Sequence, residues 1–183
     1  MDSKRIDDVM APIIRFGALH YGEAITQYAH AVQCAWLAQR EGCGPALVAA
    51  ALLHDVGQFI DDAGNAAEGK GIDALHEETG AAFLRPYFGP EVTEPVRLHV
   101  AAKRYLCAVE PGYREGLSAA SELSLQLQGD AMDASEVAAF ERDPFFADAI
   151  RLRRFDDAAK QPDLAVPPLE SYRPLLEGLL QPA

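Results

Sequence analysis

The stretch Ala46-Leu-Val-Ala-Ala-Ala-Leu-Leu-His54-Asp55-Val56-Gly57 decides how this chain reads. Eight apolar residues run directly into an imidazole and a carboxylate. Pro45 suits the first turn of a helix, and a helix that is apolar all round is a buried one. An ionised carboxylate delivered into such surroundings costs several kcal/mol unless a cation compensates it. A bound metal supplies that cation, and His with Asp suits borderline ions such as iron, manganese or zinc. A His-Asp dipeptide is common, and at a solvated helix end it means nothing; the apolar run in front of it argues against that reading here.

The other histidines extend the pattern. His30 precedes His54 by 24 residues, His76 follows it by 22 and His99 comes 23 later. Each falls on its own predicted helix. Ala and Leu are abundant and alternating β-branched runs are absent, so the fold class expected is all-α. Helices are predicted from about Ser3 to Phe16 and from Gly22 to Arg40, stopping at Gly42. Further helices carry the run from Pro45 into His54, His76 behind an Asp73 cap, and His99 with Lys103 from about Glu91. Residues 61–71 read as a polar loop. A short helix carries Ser118, Ser121 and Ser124, and Asp133-Ala-Ser-Glu136 fits a capping box. Asp143-Pro144 opens a helix running to about Lys160, and 167–180 adds a short tail helix. Inward His and carboxylate side chains on facing helices are a common way to build a dinuclear site in a helical bundle.

Bulk numbers narrow the function classes. The 183 residues are one domain's worth of chain, so residues 1–183 read as a single unit. Asp plus Glu number 28 against 16 Lys plus Arg, a formal charge of −12, which argues against nucleic acid or an anionic membrane as partner. The longest apolar run is far short of the roughly 20 residues of a membrane span, and the charged N-terminus lacks a signal-peptide core. The expected location is cytoplasmic. Cys34, Cys43 and Cys107 have no CxxC spacing and read as small buried or half-buried residues. Trp36 shares a helical stripe with Ala29 and Val32 and reads as core.

With these residues in view, the chain resembles the HD-domain superfamily, H…HD…H…H…D. Six segments carry a closer resemblance: Gly22-Glu-Ala-Ile-Thr-Gln27, His30-Ala-Val-Gln-Cys-Ala35, His54-Asp-Val-Gly57, His76-Glu-Glu-Thr-Gly-Ala81, His99-Val-Ala-Ala-Lys-Arg-Tyr-Leu106 and Arg153-Arg-Phe-Asp156. They look like the PhnZ/TmpB branch of organophosphonate oxygenases, relatives of myo-inositol oxygenase. The likeness runs from about residue 20 to residue 173. It implies two iron ions in a mixed-valent Fe(II)/Fe(III) centre, with O2 as co-substrate. His30, His54, Asp55 and Asp156 would hold one iron, and Asp55 would bridge to a second held by His76 and His99. Asp157 is the alternative to Asp156 as last ligand.

The resemblance also implies a substrate site. Lys103 and Arg153 would hold a phosphonate, with Ser121 and Ser124 donating hydrogen bonds, and Lys103 joins Asp55 as a catalytic candidate. Glu23, Gln27 and His30 form one predicted helical stripe, which would set a carboxylate opposite a cationic substrate group. Lys160 reads as a surface ion-pair partner. Two departures from the family pattern stand out. Gln58 stands where a second histidine is frequent, and Tyr21, a substrate-contact candidate, is offset by one residue beside His20. The implied reaction is O2-dependent cleavage of the C–P bond of a 1-hydroxy-2-aminoethylphosphonate or its N-trimethyl analogue. The products would be glycine or glycine betaine plus phosphate. The rival reading is an HD phosphohydrolase acting on a nucleotide or phosphomonoester. The partner expected is thus a small zwitterionic organophosphonate, taken by a monomer or weak homo-oligomer.

Overall fold

The computed structural model describes residues 2–20, 24–62, 71 and 73–182, and among these the chain is helical with no strand. The predicted contacts Tyr21 and Glu23, and most of the predicted 61–71 loop, lie outside the described residues.

Helix α1 spans Asp2–Phe16. Helix α2 spans Gln27–Arg40, and Thr26 caps it by accepting from the Ala29 N–H at 3.2 Å. This start is five residues later than the predicted one, because the threonine hydroxyl satisfies an orphan donor at that point. Of the predicted stripe, the helix carries Gln27 and His30. Gly42 follows the helix at φ 68°, and the Cys43 N–H closes back on the Ala38 carbonyl at 3.0 Å.

Helix α3, Pro45–Leu53, is the centre of the molecule. Every residue from Leu47 to Leu53 is buried. Each fully buried Leu or Val contributes about 1.5–3 kcal/mol, so this element is fixed in place by its composition alone. Helices α2, α5 (Pro90–Val109) and α8 (Phe146–Ala158) pack around it, and α4 (His76–Leu84) lies against α5. A second, smaller apolar cluster of Leu98, Ala102, Phe140 and Ala149 ties α7 (Ala134–Phe140) to α5 and α8. The Asp133/Glu136 capping box forms as read from the sequence. Helix α6 covers Ala119–Leu127, and α9, Arg173–Glu177, ends the fold.

Three predicted starts or roles shift for local reasons. Asp73 does not cap α4 directly; it accepts from the Leu75 N–H, and Leu75 is the cap at φ 47°. Asp143 likewise spends its carboxylate on the Phe145 N–H, so α8 begins at Phe146 instead of next to Pro144. Trp36 is only half-buried, with the Arg40 guanidinium over its ring at 4.7 Å.

The turn after α3 is the tightest point in the fold. The chain leaves His54 and Asp55 into a 3-10 helix, Val56–Asp62, that packs on α4. A Cβ on Gly57 would sit 1.9 Å from the His76 carbonyl oxygen and 2.6 Å from the Gly80 nitrogen. Only glycine lets the two backbones approach so closely. Gly57→Ala is expected to destabilise the chain by on the order of 3 kcal/mol. Gly116→Ala, where nothing lies within 4 Å, should change stability by less than about 0.5 kcal/mol. Chemical denaturation of both variants checks this, and equal stabilities would show the close approach to be dispensable.

Candidate metal centre

Five helices and the turn after α3 bring six polar side chains to a single point in the core. His30 comes from α2, His54 caps the end of α3, Asp55 follows it, His76 opens α4, His99 lies mid-α5 and Asp156 near the end of α8. Within a hydrophobic centre these groups are buried or nearly so; His54 is fully buried.

The imidazoles are held from behind. His54 Nδ1 lies 2.9 Å from the Ala51 carbonyl oxygen, His99 Nδ1 2.7 Å from that of Val96, and His30 Nδ1 2.9 Å from that of Ala159. A carbonyl oxygen can only accept, so each Nδ1 carries the hydrogen, and in the neutral ring Nε2 is the nitrogen left for a metal. This backing by the second nitrogen is how metal-binding histidines are oriented. The Nε2 atoms converge in two groups: His30 Nε2 is 3.3 Å from His54 Nε2, and His76 Nε2 is 3.1 Å from His99 Nε2. Bare imidazole nitrogens at such separations repel unless a cation lies between them. The spacing matches two ligands on one ion with metal–nitrogen bonds of about 2.0–2.1 Å.

Asp55 joins the groups. Its Oδ2 lies 3.5 Å from His54 Nε2 and 3.7 Å from His30 Nε2. Its Oδ1 lies 3.5 Å from His76 Nε2 and 3.9 Å from His99 Nε2. One carboxylate thus turns one oxygen to each histidine pair. Asp156 Oδ1 completes the first group at 3.3 Å from His30 Nε2. Asp157, the other sequence candidate, turns instead to Arg153 and Tyr113. Burial works to raise the Asp55 carboxyl, but His54, His76 and His30 outweigh it and hold the group below the usual carboxylate range. Burial opposes ionisation of Asp156 too, and Arg153 and His30 overcome it. Burial lowers His99 well below an ordinary imidazole, with His76 and His54 adding to the effect. Burial works to lower His30, but Cys34 and Asp156 outweigh it and raise the group well above an ordinary imidazole. The two carboxylates are thus held ionised, the donor state a metal needs.

A pocket of about 60 Å³ opens beside these groups. Lys103, one turn after His99, is buried, and its Nζ donates to Ser124 Oγ at 2.7 Å. Ser121 and Ser124 line the pocket from α6, and Gln58 and Gln27 lie on its wall. Gln27 Oε1 is buried with no hydrogen-bond partner among the described residues. Lys160, expected at the surface, lines the pocket as well. Helix α8 ends at Ala158, which breaks the i+4 register from Asp156, and Lys160 Nζ donates to Ser121 Oγ at 3.1 Å and Ser118 Oγ at 3.2 Å. Arg153 lies on the same wall with its nitrogens engaged by Asp156, Asp157 and Tyr113. Cys34, read only as a buried residue, sits with its thiol 3.8 Å from His30 Nε2. Its i+4 spacing from His30 was the available signal.

Comparison with known proteins agrees with this geometry. A family model for the HD domain matches residues 28–150. The chain is 45% identical over 166 residues to the hydroxymethylphosphonate dioxygenase of Gimesia maris, covering 90% of this chain and 83% of that protein. It is 40% identical over 161 residues to the glycine-betaine-forming [1-hydroxy-2-(trimethylamino)ethyl]phosphonate dioxygenase of Leisingera caerulea, covering 88% and 82%. An uncharacterised protein of Acanthamoeba polyphaga mimivirus is 33% identical over 165 residues, covering 88% and 75%. The chain belongs to the HD-domain family, beside the phosphonate dioxygenases just named. That membership and the donor set together imply a bound metal. Among the described residues no helix is long and apolar enough to cross a membrane.

Metal binding should stabilise the fold. At a hundredfold excess over Kd the gain is about 2.7 kcal/mol, on the order of 5–10 °C in Tm for a chain of this size. Asp55→Ala should lose most of that shift, because both groups lose an oxygen. A thermal melt of the metal-free variant with and without added Fe(II) under anaerobic conditions measures it; a wild-type-sized shift would remove Asp55 from the site.

Proposed function

We propose that this protein is an oxygenase that uses two iron ions and O2 to break the C–P bond of a small 1-hydroxyphosphonate. The observation that carries the reading is the pair of histidine groups joined through Asp55, directly beside a pocket with two lysines and two serines. His30, His54 and Asp156 would hold one iron, His76 and His99 the other, with Asp55 between them. When bound, the irons supply open positions for substrate oxygens and the redox change that O2 reduction requires. The mixed-valent Fe(II)/Fe(III) state expected from the resemblance belongs to this reading.

The substrates in the names of the two dioxygenase relatives share one feature, a hydroxyl on the carbon that bears phosphorus. The reaction balances without an external reductant. The substrate R–CH(OH)–phosphonate and O2 become R–COOH and phosphate. The C–H and C–P bonds that break each release an electron pair, and O2 takes up both pairs. One new C–O bond and one new P–O bond form. For a 1-hydroxy-2-aminoethylphosphonate the product acid is glycine; for its N-trimethyl analogue it is glycine betaine.

The chain's own residues handle the anion and its orientation. Lys103 and Lys160 reach the pocket from different elements and would neutralise the phosphonate oxygens, while Arg153 on the same wall is already paired with Asp156 and Asp157. Ser121 and Ser124 orient those oxygens by hydrogen bonding. Gln27 Oε1 and Gln58 offer polar contacts toward the hydroxyl-bearing carbon. Glu23 and Tyr21 remain the candidates for the amino or trimethylammonio end.

The decisive experiment loads the chain anaerobically with Fe(II), then supplies O2 with the amino, trimethylammonio and hydroxymethyl phosphonates side by side. One phosphate released per O2 consumed is the expected result. Phosphate release that proceeds without O2, or from phosphomonoesters, would return the protein to the phosphohydrolases. Lys103→Ala should lower kcat/KM about 10–100-fold, the worth of one charge-assisted hydrogen bond. Most of that loss should lie in KM. Steady-state kinetics checks it, and an unchanged KM would take Lys103 off the phosphonate.

A further inference from the structure

The adjacent carboxylates Asp156 and Asp157 have divided between two tasks, and a third side chain enforces the division. Arg153 is buried, and its guanidinium meets both. Toward Asp156 it gives one bond, Nη1 to Oδ2 at 2.8 Å. Toward Asp157 it gives two, Nη2 to Oδ1 and Nε to Oδ2, the latter at 3.2 Å. A guanidinium beside a carboxylate prefers the two-point fork. Here the fork is spent on Asp157, and Asp156 Oδ1 stays turned to His30 Nε2 at 3.3 Å.

Tyr113 closes the arrangement. It follows the turn after α5, and its hydroxyl donates to Asp157 Oδ2 while accepting from Arg153 Nε at 3.0 Å. Burial pushes the phenol well above its ordinary range, with the Asp157 carboxylate adding to the effect, so it stays a donor. The Arg154 guanidinium lies 5.5 Å from the Tyr113 ring centroid and is itself paired with Glu110. Three partners thus fix the ring and hydroxyl in place.

We infer that Asp157 and Tyr113 are positioning residues that hold the Arg153 fork away from Asp156, keeping one Asp156 oxygen and its negative charge for the metal. Asp157 cancels the Arg153 charge. Without it, the guanidinium closes on Asp156 with both nitrogens and competes with the ion for the same oxygens. This rests on the reading of Asp156 as a metal donor. Neither residue lines the pocket, so the effect is on metal affinity before it is on turnover.

The test uses Co(II) as probe, titrated anaerobically into the metal-free full chain and read by its visible d–d bands. Asp157→Asn should weaken Co(II) binding 10–100-fold, the usual worth of a residue that orients a ligand from behind. Tyr113→Phe, which removes one hydroxyl and keeps the ring, should weaken it less and in the same direction. If Asp157→Asn does not fold, Tyr113→Phe decides alone. Arg153→Gln removes the competitor, so adding Asp157→Asn to it should cost nothing further. A merely structural role predicts the opposite, the same loss in both backgrounds. Unchanged or tighter binding in the foldable single variants, or an undiminished Asp157→Asn effect without Arg153, overturns the inference. A wild-type chain that binds no Co(II) overturns the metal reading together with it, whereas wild-type binding with indifferent variants overturns this inference alone.

Discussion

Asp55 carries the constraint on which the rest of the structure depends. It is one ionised carboxylate near the centre of a hydrophobic bundle, with one oxygen facing His30 and His54 and the other facing His76 and His99. A buried negative charge of this kind is tolerable only where positive charge meets it from both sides. The architecture can be read as the means of bringing donors to that carboxylate. Helix α3 delivers it because that helix has nowhere to go except the core. Gly57 lets the following turn press against the start of α4, which brings His76 within reach. The packing of α5 and α8 on α3 supplies His99 and Asp156.

A second layer keeps this centre from rearranging. Three of the four histidines lean on backbone carbonyls of their own or a neighbouring helix, so their orientation is set by helix geometry and not by the ion. Asp156 is set differently, through Arg153, and that residue is balanced by Asp157 and Tyr113. The net charge of −12 therefore misdescribes the interior. Around the pocket, Lys103, Lys160 and Arg153 gather inside an acidic shell. An acidic surface repels polyanions, while such a pocket still draws in a small one.

Much of this was legible in the sequence because it depends on composition and order. The run from Ala46 to Leu53 could only be a buried helix, and four histidines at intervals of just over twenty residues could only sit on successive helices. The capping box at Asp133 is a local motif and forms locally. What was not legible depends on where helices stop. Periodicity assigned Glu23 to α2, but Thr26 captures the first turn and starts the helix at Gln27. The same reasoning kept Lys160 on α8. There the helix ends at Ala158, and the Ala159 carbonyl serves His30 across the core. Lys160 then turns to the serines of α6. The partners of Arg153 were hidden for a related reason: i+3 and i+4 spacing offers both Asp156 and Asp157, and only Tyr113, 40 residues away, distinguishes them.

The division of the site into a metal side and a phosphonate side carries a consequence for how such chemistry is driven. On the pocket side, Lys103, Lys160 and the serines would meet three oxygens that are anionic in the phosphonate and remain anionic in the released phosphate. Contacts that are equal before and after reaction bind, and do little to lower the barrier. In the proposed reaction the C–H and C–P bonds that would break both lie on the carbon between the phosphonate and the metal groups. It is there that Asp55 and Asp156 keep their charge against burial, and there that the imidazole Nε2 atoms converge. On the proposed reading, rate would belong to the residues that shape the metal, and affinity to the lysines. With His99 and Lys103 a single turn apart on α5, a phosphonate held by the lysine would present its carbon to the metal.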